Sequence, residues 1–218
     1  MKRILCYGDS NTWGYDPINA LEDLKPSQRF SIEERWPMLL EKELGKDYQV
    51  LEEGLNGRTT VFNDPLKFGR NGAEYLEIAF RTHDPVDYII IMLGTNDTKD
   101  IYNASAEFIA RGLERIVSDL KNYMKESLSE DAEILIVSPL YILKNKNGNY
   151  NGSFSKVSKK KTKNFNKFYR KIARTHNCEF LDAAEHVNPS KEDGVHLNKE
   201  GHKKLAEVLA DKIKKISK

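Results

Sequence analysis

Five short runs of aliphatic and β-branched residues divide the chain, at residues 3–7, 48–52, 88–93, 133–137 and 178–181. The third, Tyr-Ile-Ile-Ile-Met-Leu, is apolar without alternation, as a strand buried on both faces should be. Between the runs the apolar spacing becomes helical. Ile109, Leu113, Ile116, Val117, Leu120 and Met124 trace one face of a long helix, and Leu205, Val208, Leu209, Ile213 and Ile216 trace another. Shorter helices are predicted over 36–44 and 73–81, and Phe165, Phe168 and Ile172 recur at helical spacing as well. Strands that alternate with helices require a parallel sheet, and right-handed crossovers place the helices on both of its faces. The pattern therefore predicts an α/β fold: a three-layer α/β/α, flavodoxin-like, five-stranded parallel sheet. With no internal repeat and no linker composition, residues 1–218 read as a single domain.

Two irregular segments, 16–31 and 139–155, are long for connections in such a fold, and the second carries Asn147-Gly148-Asn149 and Asn151-Gly152. In an open parallel sheet ligands sit beyond the carboxyl ends of the strands, where such loops emerge.

Composition narrows the class. At 39% hydrophobic and 31% charged, the 218 residues exclude a disordered chain. A chain of this length buries roughly 70–75% of its unfolded surface, enough for a core without disulfides or structural metal. Cys6 and Cys178 lie in separate apolar runs and read as core thiols of a reducing compartment. The apolar run before Gly8 is too brief for a secretion signal, and no stretch reaches the ~18 apolar residues of a membrane span, so a cytoplasmic protein is expected. A net charge of +2 gives no reason to expect nucleic acid or an anionic membrane as partner. Residues 156–174 hold nine Lys or Arg and no acid, and read as the solvated face of a helix whose other face carries Phe165 and Ile172.

Four small polar clusters sit where the predicted sheet would present them. Gly8-Asp9-Ser10-Asn11-Thr12 follows the first run and can display the Ser10 hydroxyl at the sheet edge, although Ser10 reads equally as a helix cap. Gly54-Leu55-Asn56-Gly57-Arg58-Thr59-Thr60 follows the second; its glycines either let a ligand approach the backbone or simply form a tight turn. Gly94-Thr95-Asn96-Asp97 follows the third, where the Asn96 amide either donates into the crevice or caps a helix. Asp193-Gly194-Val195-His196-Leu197 precedes the last helix. A carboxylate three residues ahead of a histidine can bind one ring nitrogen and leave the other as a base. His83, His176, His186 and His202 have no such partner and read as surface or helix residues. No His or Cys pair shows metal-ligand spacing, so no metal and no cofactor is expected.

In order and content, the four clusters resemble the SGNH hydrolases, or GDSL esterases, through Gly8-Asp9-Ser10, Gly57, Gly94-Thr95-Asn96-Asp97 and Asp193-Gly194-Val195-His196. Asn11 stands where the family name has leucine, a position read as shaping the substrate pocket. Residues 2–10, Glu52-Glu53-Gly54-Leu55 with Arg58-Thr59-Thr60, and residues 89–99 are similar to the mycobacterial arylesterase and acyltransferase branch, in which alanine occupies the position of Gly57.

The resemblance implies a serine esterase of small acyl groups, with an acyltransferase to alcohols as the alternative, assembled as a homo-oligomer. Ser10, His196 and Asp193 would form the catalytic triad. The N–H groups of Ser10 and Gly57 and the amide of Asn96 would form the oxyanion hole. Asn11, Trp13, Tyr15, Thr95 and Lys99 are expected around the substrate. A non-catalytic flavodoxin-like binding module is the rival; it would need a phosphate-cradling loop or an acidic cluster after the first strand, and Gly8-Asp9-Ser10 supplies one carboxylate.

Overall fold

The computed structural model describes residues 1–18 and 28–217, so much of the predicted irregular segment 16–31 lies outside the described residues. Strands β1 (Lys2–Gly8), β2 (Tyr48–Gly54), β3 (Tyr88–Met92), β4 (Glu133–Ser138) and β5 (Glu179–Asp182) form one sheet in the order β2-β1-β3-β4-β5. Every pairing is parallel. The helices are α1 (Ser10–Trp13), α2 (Trp36–Leu44), α3 (Gly72–His83), α4 (Ala106–Met124), α5 (Lys156–Thr175) and α6 (Lys199–Ile216). The predicted three-layer arrangement is present. α1 and the 3-10 turns at Asn96–Thr98, Asp100–Tyr102 and Ala183–Glu185 are too short to leave a periodic signal.

Strand side chains alternate between faces, which divides the core in two. Leu5, Tyr7, Ile89, Ile91, Ile134 and Ile136 pack with residues of α3, α4 and α5, among them Phe80, Leu113 and Phe165. Ile4, Cys6, Ile90, Met92, Leu135 and Val137 pack with Trp36 and Leu40 of α2 and with Leu205 and Leu209 of α6. All five residues of β3 are buried, as its unbroken apolar run requires. On α5 the buried Phe165, Tyr169 and Ile172 face the sheet and most of the lysines face out. Lys161 turns inward instead and donates to the Thr98 carbonyl at 3.2 Å. Both cysteines are free. Among the described residues, no helix is long and apolar enough to cross a membrane.

The chain runs from β1 outward to β2 and then back to β3 on the other side of β1. This reversal opens a crevice at the carboxyl ends of β1 and β3. Gly8 pairs in register with Gly54 of β2 and with Met92 of β3, so the loops that follow these three strands emerge side by side.

Candidate active site

Ser10 begins α1 immediately after β1, but it is not the helix cap. Asp9 takes that role, its carboxylate accepting the Asn11 N–H at 3.0 Å. The Ser10 hydroxyl is thereby left for His196, whose Nε2 lies 2.9 Å away. On the other side of the ring, Nδ1 is 2.5 Å from Asp193 Oδ2. A ring that donates from Nδ1 to a carboxylate keeps its Nε2 lone pair for the hydroxyl proton. Asp193 uses its second oxygen on the backbone, accepting the N–H groups of Val195 at 2.9 Å and His196 at 3.0 Å. Burial pushes the Asp193 carboxyl up, but the combined hydrogen bonds from the His196 ring, His196 N–H and Val195 N–H outweigh it and hold the group below its ordinary range. The side chains of His196 and Asp193 are 13% and 6% exposed, which keeps water from competing for these bonds.

The three expected oxyanion donors stand on the adjacent loops. Ser10 N–H is in the first turn of α1, where no intrahelical acceptor exists. Gly57 holds φ at +84°, a left-handed conformation that turns the chain after β2, and among the described residues no turn or loop carbonyl accepts its N–H. Asn96 opens a 3-10 turn without capping it, and donates one amide N–H to the Arg58 carbonyl at 3.0 Å. The other amide N–H is available to a ligand.

The residues expected around the substrate divide. Tyr15 lies against the imidazole, ring centroids 4.2 Å apart at 37°. Trp13 is half-buried; its carbonyl accepts from Arg29 Nε at 2.6 Å and its ring is covered by the Arg29 guanidinium at 5.1 Å. Lys99 is half-buried with Nζ 5.8 Å from the Phe154 ring, and burial lowers its pKa despite the opposing charge of Asp64. Asn11 is 2% exposed, and its amide is engaged on both ends with backbone beside His196. Thr95 is also buried, and so is the Asp9 carboxylate, whose pKa burial raises and the Asn11 N–H and His196 lower.

Several supports were not foreseen. The 139–155 segment docks on the histidine loop, with Leu143 N–H donating to Gly194 O at 2.9 Å and Lys146 N–H to Lys191 O at 2.6 Å. Asn151 Nδ2 reaches Asp193 Oδ2 at 3.5 Å. Asp97 accepts the Thr60 N–H at 2.9 Å and the Thr60 hydroxyl, tying the loop after β3 to the loop after β2. His202, expected as a surface or helix residue, lies in α6 but is fully buried. Sequence spacing gives none of these, because each partner is far away along the chain. Among the described residues, no group of three or more His, Cys, Asp or Glu could hold a metal ion.

Residues 6–204 match the GDSL-like lipase/acylhydrolase family. Among solved structures, the chain is similar to an aryl esterase from M. smegmatis, with TM-score 0.90 and 34% identity over 99% of both chains. It is also similar to a carbohydrate acetylesterase from Sinorhizobium meliloti, with TM-score 0.91 and 32% identity over 99% of this chain and 100% of that one. An acetylxylan esterase from Xylanibacter ruminicola is 25% identical over 97% of this chain, which spans only 43% of that protein's length.

Proposed function

Because the chain belongs to the GDSL-like lipase/acylhydrolase family, we propose that it is a carboxylic ester hydrolase that cleaves small, acetyl-type esters through an acyl-enzyme on Ser10. The observation that carries this reading is the unbroken relay from Ser10 Oγ through His196 to Asp193, at 2.9 and 2.5 Å.

In the first half-reaction Ser10 Oγ attacks the ester carbonyl carbon while His196 Nε2 takes the hydroxyl proton. Asp193 orients the ring and offsets the charge of the imidazolium. The carbonyl oxygen becomes an oxyanion that the N–H groups of Ser10 and Gly57 and the Asn96 amide can meet. As the intermediate collapses, His196 gives its proton to the leaving alcohol, which departs and leaves the acyl group on Ser10. Water then repeats the sequence: His196 takes its proton, the second oxyanion forms and collapses, and Ser10 recovers its hydroxyl proton as the acid is released.

The names of the similar proteins support short acyl groups on aryl or carbohydrate alcohols as the substrate class. Tyr15, whose ring lies 4.2 Å from the imidazole, supports an alcohol moiety that offers a flat or ring-shaped face. Two measurements test the reading. A phosphonate ester should label Ser10 covalently, with loss of activity in proportion. On p-nitrophenyl esters, acetate should be turned over far faster than octanoate; a flat chain-length profile refutes the small acyl site, and failure of the phosphonate to label refutes the nucleophile.

A further inference from the structure

We propose that Arg58 is a positioning residue that holds the oxyanion donors in place before substrate arrives, an inference that rests on the ester-hydrolase reading above. Arg58 is 2% exposed. Its Nη1 donates to the Gly8 carbonyl at 3.0 Å and to the Glu53 carbonyl. Its own carbonyl receives the Asn96 amide at 3.0 Å, and its N–H donates to Leu55 O at 3.0 Å. One residue thus joins the end of β1, two positions before the nucleophile, to the end of β2 and to the side chain that follows β3. Gly57 is its immediate chain neighbour. The three donor-bearing loops come from three strands with no covalent reason to keep their spacing, and Arg58 touches all of them.

The guanidinium lies over two aromatic rings, its Cζ 4.3 Å from the Tyr7 ring centroid and 5.4 Å from that of Tyr75. Tyr7 is pinned in turn by its hydroxyl on Gly72 O at 2.6 Å. A charged group in this position is costly: burial lowers its pKa, and Tyr7, Glu53, Tyr75 and Asp9 around it offset that only in part. An apolar side chain of similar volume would fill the slot without that cost, so packing alone does not account for arginine here. What an apolar residue cannot do is hold two carbonyls from adjacent strands at one nitrogen. Oxyanion donors accelerate a reaction only if they need no reorganisation when charge develops, which is the condition this tie satisfies.

The test compares Arg58→Ala and Arg58→Lys with wild type and with Ser10→Ala, using p-nitrophenyl acetate, phenylboronic acid and the acid limb of the pH–rate profile. Phenylboronic acid forms a tetrahedral adduct on the serine and so reports on the oxyanion donors directly. Loss of donor alignment should lower kcat of Arg58→Ala by about 100-fold with little change in KM, the scale of a lost oxyanion donor. Boronate inhibition should weaken in step, while the acid limb stays where it is. Arg58→Lys, which keeps the charge but not the fork, should fall between, and it decides the matter if the alanine variant does not fold. Wild-type kcat in the lysine variant and in a folded alanine variant would overturn the proposal, as would a loss of kcat with a displaced acid limb and unweakened boronate binding. Ester hydrolysis by Ser10→Ala at wild-type rate would instead overturn the reading of the site, whatever the Arg58 variants do.

Discussion

The side-chain oxygen of Asn11 accepts the Leu197 N–H at 2.9 Å, and its amide nitrogen donates to the Val195 carbonyl at 3.4 Å. The residue after Ser10 therefore grips the backbone on both sides of His196. α1 and the histidine loop are 186 positions apart in the chain, yet one amide bonds to two backbone groups of that loop. In Asn11→Leu the Leu197 N–H and the Val195 carbonyl lose these partners in a buried place. Such losses cost about 1–3 kcal/mol each when nothing replaces them. A lower denaturant midpoint together with reduced kcat is expected, and a variant that matches wild type in both would show that the clamp is dispensable.

Losing Ser10 and losing Asn96 should have unequal consequences. Ser10→Ala removes the nucleophile and should abolish acyl-enzyme formation, seen as the loss of both turnover and phosphonate labelling. Asn96→Ala removes one of three donors and should retain residual turnover, lower by about 100- to 1,000-fold. Single-turnover kinetics with p-nitrophenyl acetate separates the two, because Asn96→Ala still releases a burst of nitrophenol and Ser10→Ala does not.

Acid should loosen the contact between α2 and α6 through His202. The Trp36 N–H donates to His202 Nδ1 at 3.1 Å, which supplies the first turn of α2 with a cap that Arg35 does not provide. Burial, with the neighbouring His196 adding to it, lowers the His202 pKa from 6.5 to about 3. The unfolded chain then binds this proton more readily than the folded one. The stabilisation is complete above pH 6.5 and is lost as pH falls toward 3, on the order of 5 kcal/mol over the window. His202→Gln, which keeps an acceptor but does not titrate, should flatten this part of the stability–pH curve measured by urea denaturation.

Asp97 has the opposite sign. Burial raises its carboxyl pKa from 3.8 to about 6, against the lowering effect of the Thr60 hydrogen bonds. The folded state here binds the proton more tightly, so the contribution to stability declines as pH climbs through this window. Above it, the ionised form costs roughly 3 kcal/mol. Asp97→Asn keeps an oxygen for Thr60 and removes the charge. Its stability relative to wild type should improve between pH 3.8 and 6 and then level off, a trend that denaturant midpoints below and above the window would reveal.

The layer structure was legible because β3 and the faces of α4 and α6 are long enough to show their period, and Ser10, Asp193 and His196 because each sits in a short cluster at an element boundary. Contacts between clusters were not legible. Asn11 looks like a pocket residue when only its chain neighbours are considered, and its partners at 195 and 197 appear only once the last loop is folded against α1. Arg58 stands in a recognised cluster, but a charged residue beside a glycine usually points to solvent, and nothing local signals the slot between Tyr7 and Tyr75. His202 sits on a helix with lysines on its C-terminal side, a setting that hides its burial.

At Gly194 the backbone has φ +72°, and a Cβ there would come 2.2 Å from the Leu143 carbonyl. The loop that carries His196 and the loop after β4 are therefore fitted at their backbones, with no side chain between them to yield. Beyond that seam the chain folds into a small turn, closed by Asn145 N–H on Asn149 O at 2.8 Å and Gly148 N–H on Asn145 O at 2.9 Å. Insertions have room at 147–148, where they would lengthen an exposed tip. The same change made at 143 or 194 would shift the imidazole itself, so tolerance to redesign along this segment is set by distance from one glycine.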